Sequence, residues 1–184
     1  LDREAIASAD VVAFYVPMHT ATRIAAHVVQ HVKELNPHAH LCFYGLYAPM
    51  NEAFLRSLGA HTILGGEFEA GLLSLVRRLE AGLPDRASQS EPVISLARQQ
   101  FLVPDRQDLP PLFTYAKLIM GPEQQRTAGY TEASRGCKHL CRHCPIVPVY
   151  AGRFRVVQRD VVLADIRQQV AAWAEHMTFG DPDF

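Results

Sequence analysis

The sequence predicts an α/β protein in two parts: an open parallel sheet covered by helices, then a strand, a cysteine-bearing loop, a helix and a second strand. Three observations predict it. Short apolar runs alternate with stretches of helical periodicity over residues 1–83. Prolines then interrupt the chain repeatedly, and three of the four cysteines fall between Cys137 and Cys144.

Val11 to Val16 is an unbroken apolar run closed by Pro17. Leu41 to Tyr44 and Thr62 to Leu64 are similar runs that end at Gly45 and at Gly65-Gly66. Such runs read as strands buried on both faces. Between the first two, Ile24, Val28, Val32 and Leu35 recur at helical spacing, with Thr20 as N-cap and Asn36-Pro37 as the stop. Asn51 caps a second helix carrying Phe54, Leu55 and Leu58, and a third carries Phe68, Leu72, Leu75 and Leu79 before Gly82. Strands alternating with helices imply a doubly wound parallel sheet, because right-handed crossovers are the common way to join parallel strands. Ligands of such sheets lie at the carboxyl ends of the strands, here the loops Pro17 to Thr20, Gly45 to Pro49 and Gly65 to Glu67.

From residue 84 to 125 the texture changes. Pro84, Pro92, Pro104, Pro110, Pro111 and Pro122 break any long element, and polar stretches such as Ser88-Gln89-Ser90-Glu91 lie between them, so the segment reads as a linker. Residues 126–184 then form a second domain. A strand over Gly129 to Ala133 leads into the cysteines, and a helix with Asp160 as cap carries Val162, Ile166, Val170, Trp173 and Met177 on one stripe. On this reading Trp173 and Met177 belong to the core. A strand ending at Gly180-Asp181-Pro182 closes the sequence, and both ends of the chain read as cut.

Length and composition narrow the function. The 184 residues are 48% hydrophobic, enough to build packed cores, which sets disorder aside. Eighteen basic residues against nineteen acidic ones leave a net charge of -1, so neither nucleic acid nor a membrane surface is bound through overall charge. No apolar run reaches the length needed to span a bilayer and the start, Leu1-Asp2-Arg3-Glu4, lacks a signal-peptide core, which predicts a cytoplasmic protein. Clustered cysteines in that compartment indicate a metal site rather than a disulfide framework.

The cluster reads Gly136-Cys137-Lys138-His139-Leu140-Cys141-Arg142-His143-Cys144-Pro145, a C-x3-C-x2-C spacing. Thiolates suit soft metals, and three ligands from one loop can each bind one iron of a cubane and leave the fourth iron open. His139 and His143 offer a rival reading, a closed Cys3His zinc module that binds a partner; a simple iron-sulfur electron carrier is a third. His143, wedged just before the last cysteine, is poorly placed to share a metal with both its neighbours. Cys42 sits in an apolar strand and reads as a small buried hydrophobe. Between Ala133 and Arg159 the chain carries Arg135, Lys138, Arg142, Arg153, Arg155 and Arg159 and no acidic residue, a local positive patch for an acidic partner or a negatively charged cluster.

The Cys137, Cys141, Cys144 motif following a short strand resembles the signature of the radical S-adenosylmethionine (SAM) superfamily. That resemblance implies a full or partial (βα) barrel and a 4Fe-4S cluster on the three cysteines. It also implies SAM chelated at the open iron, and reductive cleavage to methionine and a 5′-deoxyadenosyl radical with an electron from a flavodoxin or ferredoxin. Family members hold the methionine amino group with a Gly-Gly-Glu-like stretch at the end of the second barrel strand. Here Gly180, Asp181 and Pro182 occupy that place in a departed form. Residues 1–83 resemble the cobalamin-binding, partial Rossmann-like domain of one branch of the superfamily that carries out methyl transfer or rearrangement. Gly65-Gly66-Glu67 is similar to its second glycine signature, whereas the loop supplying an axial histidine is missing. On that resemblance His19, Thr20, Gly45, Gly65 and Gly66 would meet cobalamin.

Overall fold

The computed structural model describes residues 2–82 and 91–182, so the boundary expected at residue 83 and the stretch Ser88-Gln89-Ser90 lie outside the described residues. The chain divides into two units, one made of Leu1–Arg98 with Leu140–Ala151, the other of Gln99–His139 with Gly152–Phe184.

The first unit is built on a four-stranded, wholly parallel sheet in the order β1 (Val11–Tyr15), β2 (His40–Tyr44), β3 (Thr62–Gly66) and β4 (Ile94–Ser95). The first three strands are the apolar runs expected. The fourth comes from the proline-rich stretch and is two residues long, too short to leave a periodic signature. Helix α1 (Arg3–Ser8) precedes the sheet, its N-terminus capped by the Asp2 carboxylate, which accepts from the backbone N–H groups of Glu4 and Ala5. Helices α2 (His19–Leu35), α3 (Tyr47–Met50) and α4 (Glu52–Ser57) connect the strands, and α5 (Glu69–Glu80) follows β3.

Alternation along the strands sorts the core into two faces. Leu41, Phe43 and Ile63 pack with Ala25, Val29 and Val32 of α2 and Leu55 of α4. Cys42 and Leu64 point the other way and pack with Leu75, Leu72 and Leu79 from the α5 side. Helices therefore cover both faces, as a doubly wound sheet requires. Phe43, Leu55, Ile63, Leu64 and Leu75 are essentially inaccessible to solvent, each worth about 1.5–3 kcal/mol of burial.

Two details differ from the sequence reading. The α2 face that meets the sheet is Thr22, Ala25, Val29 and Val32, while Ile24 is 60% exposed. The N-cap of α2 is Met18 without a side-chain bond, and the one at the start of α4, Asn51, turns its amide back to the Tyr47 carbonyl at 2.8 Å. Small residues on α2 let the helix approach the strands closely, and an apolar count weighted to Ile and Leu misplaces that face by about one position.

The second unit holds a sheet in the order β5 (Lys117–Gly121), β6 (Gln124–Thr131) and β9 (His176–Phe179), with β5 antiparallel and β9 parallel to β6. A separate antiparallel ribbon joins β7 (Ser134–Gly136) to β8 (Phe154–Val156), and the other helices are α6 (Val147–Tyr150), which belongs to the first unit, and α7 (Arg159–Ala171). The stripe expected through Trp173 and Met177 is corrected. Helix α7 stops at Ala171, Trp173 turns the chain with φ 71° and is 85% exposed, and Met177 lies in β9. Its cap is Gln158, without a side-chain bond, rather than Asp160. Among the described residues no helix is long and apolar enough to cross a membrane.

Candidate functional site

At the carboxyl edge of the parallel sheet the loops are interlaced by backbone bonds. The N–H of Tyr47 donates to Val16 at 3.0 Å and that of Gly45 to Leu64 at 3.1 Å. Gly65 and Gly66 are required by close approach: a Cβ on Gly65 would collide with the Pro49 ring, and one on Gly66, whose φ is 68°, with the Ser95 carbonyl of β4. Below them opens a cavity of about 260 Å³ lined by Leu64, Gly65, Glu67, Phe68, Ser74 and Glu91 among others. His19 and Thr20 sit exposed in the first turn of α2, with their side chains 3.3 Å apart, and neither they nor Gly45 and Gly66 line that cavity.

Two charged groups line or flank the cavity wall. Arg78, on the buried side of α5, grips Glu91 with two hydrogen bonds, 3.2 Å to one carboxylate oxygen and 3.0 Å to the other, and Ser74 adds a third at 3.1 Å. Burial would raise the Glu91 carboxyl, but the bonds and charge of Arg78 and the Ser74 hydroxyl outweigh it, and the group lies below the usual carboxylate range. Neither residue stood out in the sequence, because the pair joins a helix to a segment beyond it.

Cys42 behaves as expected of a core residue. It is free, fully buried, and its thiol is pushed up to about 12, first by burial and then by the Glu91 charge. From an ordinary value of 9.0 this lowers its thiolate fraction by about a thousandfold near neutral pH. Iodoacetamide is therefore expected to label Cys137, Cys141 and Cys144 in the folded, metal-free chain and to spare Cys42 until denaturant is added. Mass mapping of the labelled peptides reads this out, and early labelling of Cys42 would contradict it.

The cysteine loop is pinned at its base by the β7–β8 ribbon, in which Gly136 pairs with Phe154. At the end of the ribbon Gly136 turns with φ 72°, and Cys137 follows. The N–H of His139 points at the Cys137 sulfur at 3.4 Å, a bond that tempers charge on a thiolate. Cys141 and Cys144 fall in the segment grouped with the first unit, where the Cys144 N–H donates to the Cys141 carbonyl at 3.3 Å and α6 begins three residues on. All three thiols are free, Cys141 exposed and the other two half-buried. His139 and His143 are exposed, and among the described residues no three His, Cys, Asp or Glu side chains are gathered closely enough to hold a metal ion. The positive patch is partly engaged locally. Arg135 pairs with Glu132 at 3.4 Å and lies over the Phe101 ring, and Lys138 lies over Phe154.

Gly180 and Asp181 stand at the end of β9. The Gly180 N–H continues the parallel ladder to Thr131 at 2.9 Å, and a Cβ at this position would strike the Tyr130 ring. The Asp181 carboxylate accepts from the Ala133 N–H at 3.2 Å and from the Ser134 hydroxyl. It thereby ties the end of β9 to the strand that leads to Cys137. Pro182 follows, exposed.

Behind β6 lies a polar network that apolar periodicity could not reveal. The Gln169 side chain is 1% exposed; its carbonyl accepts from the Tyr130 N–H and its amide donates to the Tyr130 carbonyl, both at 2.9 Å. It thus acts as a strand partner where pairing with β5 has ended at Thr127. The same amide reaches Asp165 at 3.0 Å, and Arg106 holds Asp165 at 2.7 and 3.1 Å. Burial would raise the Asp165 carboxyl, but its bonds to Arg106, Gln168 and Thr131 bring it below the usual range.

The fold is one found in a solved radical SAM methyltransferase. The chain is similar to the structure of TsrM, a radical S-adenosylmethionine methyltransferase from Kitasatospora setae, with tryptophan substrate and the SAM analog aza-SAM bound. The TM-score is 0.73 at 15% identity, covering 97% of this chain and 38% of that one. It is similar also to TsrM with cobalamin and a 4Fe-4S cluster bound, with a TM-score of 0.65 at 16% identity, covering 97% of this chain and 39% of that one. The chain thus spans about two fifths of the length of those structures. The fold agrees with the resemblance read from the cysteine loop and the glycine-edged sheet. The sequence matches no family profile and no curated protein.

Proposed function

We propose that the chain is the cofactor-binding part of a radical SAM enzyme, in which Cys137, Cys141 and Cys144 hold a 4Fe-4S cluster and the end of β9, Gly180 to Pro182, helps seat SAM. The observation that carries the reading is the donor set: three free thiols at C-x3-C-x2-C spacing on a loop closed at its base by a ribbon, with an N–H aimed at the first sulfur. The donor set fits such a cluster, since three thiolates serve three irons and no fourth cysteine is nearby in sequence. When bound, the group supplies an electron for C–S cleavage and an open iron for the amino and carboxylate groups of SAM.

The chain's own residues then have defined tasks. Asp181 fixes the end of β9 against Ala133 and Ser134, and Gly180, having no side chain, makes room for the Tyr130 ring packed over it. Gly65 and Glu67 line the cavity that we assign to part of a cobalamin, with Gly66 between them in the chain, and His19 and Thr20 in the first turn of α2 and Gly45 after β2 stand at the same sheet edge. Methyl transfer is the reaction class we favour, because TsrM, the methyltransferase whose fold is similar, has been seen with cobalamin and the cluster bound. We further propose a flavodoxin- or ferredoxin-type electron donor, on the strength of the basic residues from Arg135 to Arg159, and a cytoplasmic setting, which suits clustered thiols that hold a metal.

Anaerobic reconstitution of the chain tests the reading. Iron and sulfide in near-equal amounts, with adenosyl product formed from SAM when dithionite is added, are the expected results. A single tightly held zinc would favour a closed module instead, and iron without any turnover of SAM would favour an electron carrier.

A further inference from the structure

Glu67 is the residue immediately after the Gly65-Gly66 turn, and it lines the cavity beneath it. It is 1% exposed. Its carboxylate accepts a hydrogen bond of 3.2 Å from the hydroxyl of Tyr150, itself 7% exposed. Tyr150 ends α6, the short helix that starts three residues after Cys144, and α6 packs on β3 and α3. The two residues are 83 positions apart, yet both belong to the first unit. A one-turn helix has little stability of its own, so its order comes from such tertiary contacts.

We infer that the buried Tyr150–Glu67 hydrogen bond positions the segment carrying Cys141 and Cys144 and couples it to the cavity beneath Gly65-Gly66; as a statement about ligands, it rests on the functional reading above. The local backbone bonds of the chain between Cys141 and Ala151 include Cys144 N–H to Cys141, Val147 N–H to Cys144, Val149 and Tyr150 N–H to Ile146 and Ala151 N–H to Val147. Val149 and Tyr150 are its buried side chains, and Tyr150 alone of the two carries a polar group that must find a partner. Glu67 lines the cavity and accepts from Tyr150, so occupancy of the cavity and order of the cysteine segment share one residue, and any coupling between them is reciprocal. Tyr150 and Glu67 are thus positioning residues rather than ligands.

Amide hydrogen exchange on the full 184-residue chain, free of any cofactor, tests the link. Wild type, Tyr150→Phe, Glu67→Gln and Glu67→Leu would be compared. Gln keeps an acceptor oxygen for the Tyr150 hydroxyl, whereas Phe and Leu remove one partner each. Exchange at Cys144, Val147, Tyr150 and Ala151 is expected to rise about tenfold in Tyr150→Phe and in Glu67→Leu, with rescue in Glu67→Gln and no change in β1 to β3. Iron release from the reconstituted chains to a chelator is expected to follow the same order. Exchange that is unaltered in Tyr150→Phe, or that rises equally throughout the sheet, would overturn the inference, as would equal iron release from all four chains. A wild-type chain that takes up no iron would defeat the cluster reading, while the exchange comparison would still decide the positioning role.

Discussion

Replacing Gln169 with leucine is expected to destabilise the second unit by about 3 kcal/mol, because three hydrogen bonds made by a side chain only 1% exposed vanish and leave their partners unsatisfied. The Tyr130 N–H loses the Gln169 acceptor, the Tyr130 carbonyl loses the Gln169 donor while keeping Arg106 at 3.2 Å, and Asp165 loses a donor. Leucine has nearly the right size, so the cost is one of unsatisfied polarity rather than of volume. Chemical denaturation followed by a probe in the second unit, such as Trp173 fluorescence, reads the change as a lower midpoint at an unchanged slope. Gln169→Glu is expected to fare little better, since a carboxylate cannot donate to Tyr130 and would face Asp165. A Gln169→Leu chain as stable as wild type would show that the network is dispensable.

Arg78→Met is expected to cost about 3–5 kcal/mol at neutral pH, because it strands the buried Glu91 carboxylate without its cation. The sign of the pH dependence follows from the direction of the Glu91 shift. Burial works to raise that carboxyl, the Arg78 and Ser74 bonds overcome it, and the folded value lies below the unfolded one. Stability from the pair is therefore fully present above the ordinary carboxylate range and is lost as the pH falls through the folded value. In Arg78→Met that acid limb should flatten, and the deficit against wild type should shrink on acidification. The double variant Arg78→Met with Glu91→Leu should recover most of the loss, since a packed apolar pair avoids the burial of charge. A single variant with a pH-independent deficit would refute the assignment.

The parts of the fold legible in the sequence are those governed by apolar burial. Strands β1 to β3 are nearly all-apolar because helices cover both faces, and α5 shows its stripe because Leu72, Leu75 and Leu79 all reach the sheet. What escaped detection is polar or short. Asp165 and Gln169 are the buried residues of α7, so a stripe drawn through Val162, Val170 and Trp173 followed the wrong side and ran past the end of the helix at Ala171. Strand β4 is held by pairing with Gly65 and Gly66 rather than by its own composition. In the candidate site, the cysteine spacing is readable because it is local, Cys137, Cys141 and Cys144 following one another on one loop. The Asp181 bond to Ser134 and the Tyr150 bond to Glu67 were not, since each joins residues that only folding brings together. Gly65 and Gly66 are placed at the strand end by the sequence, and only the structure shows what lies over them, the Pro49 ring and the Ser95 carbonyl.

Electron paramagnetic resonance of the reconstituted, dithionite-reduced chain, recorded before and after SAM is added, bears most directly on the proposal that one iron has no protein ligand. The account predicts the signal of a reduced 4Fe-4S cluster whose g values shift when SAM binds, and which is lost when any one of Cys137, Cys141 or Cys144 is replaced by alanine. A spectrum indifferent to SAM, or a metal centre that survives the loss of one of these cysteines, would contradict it.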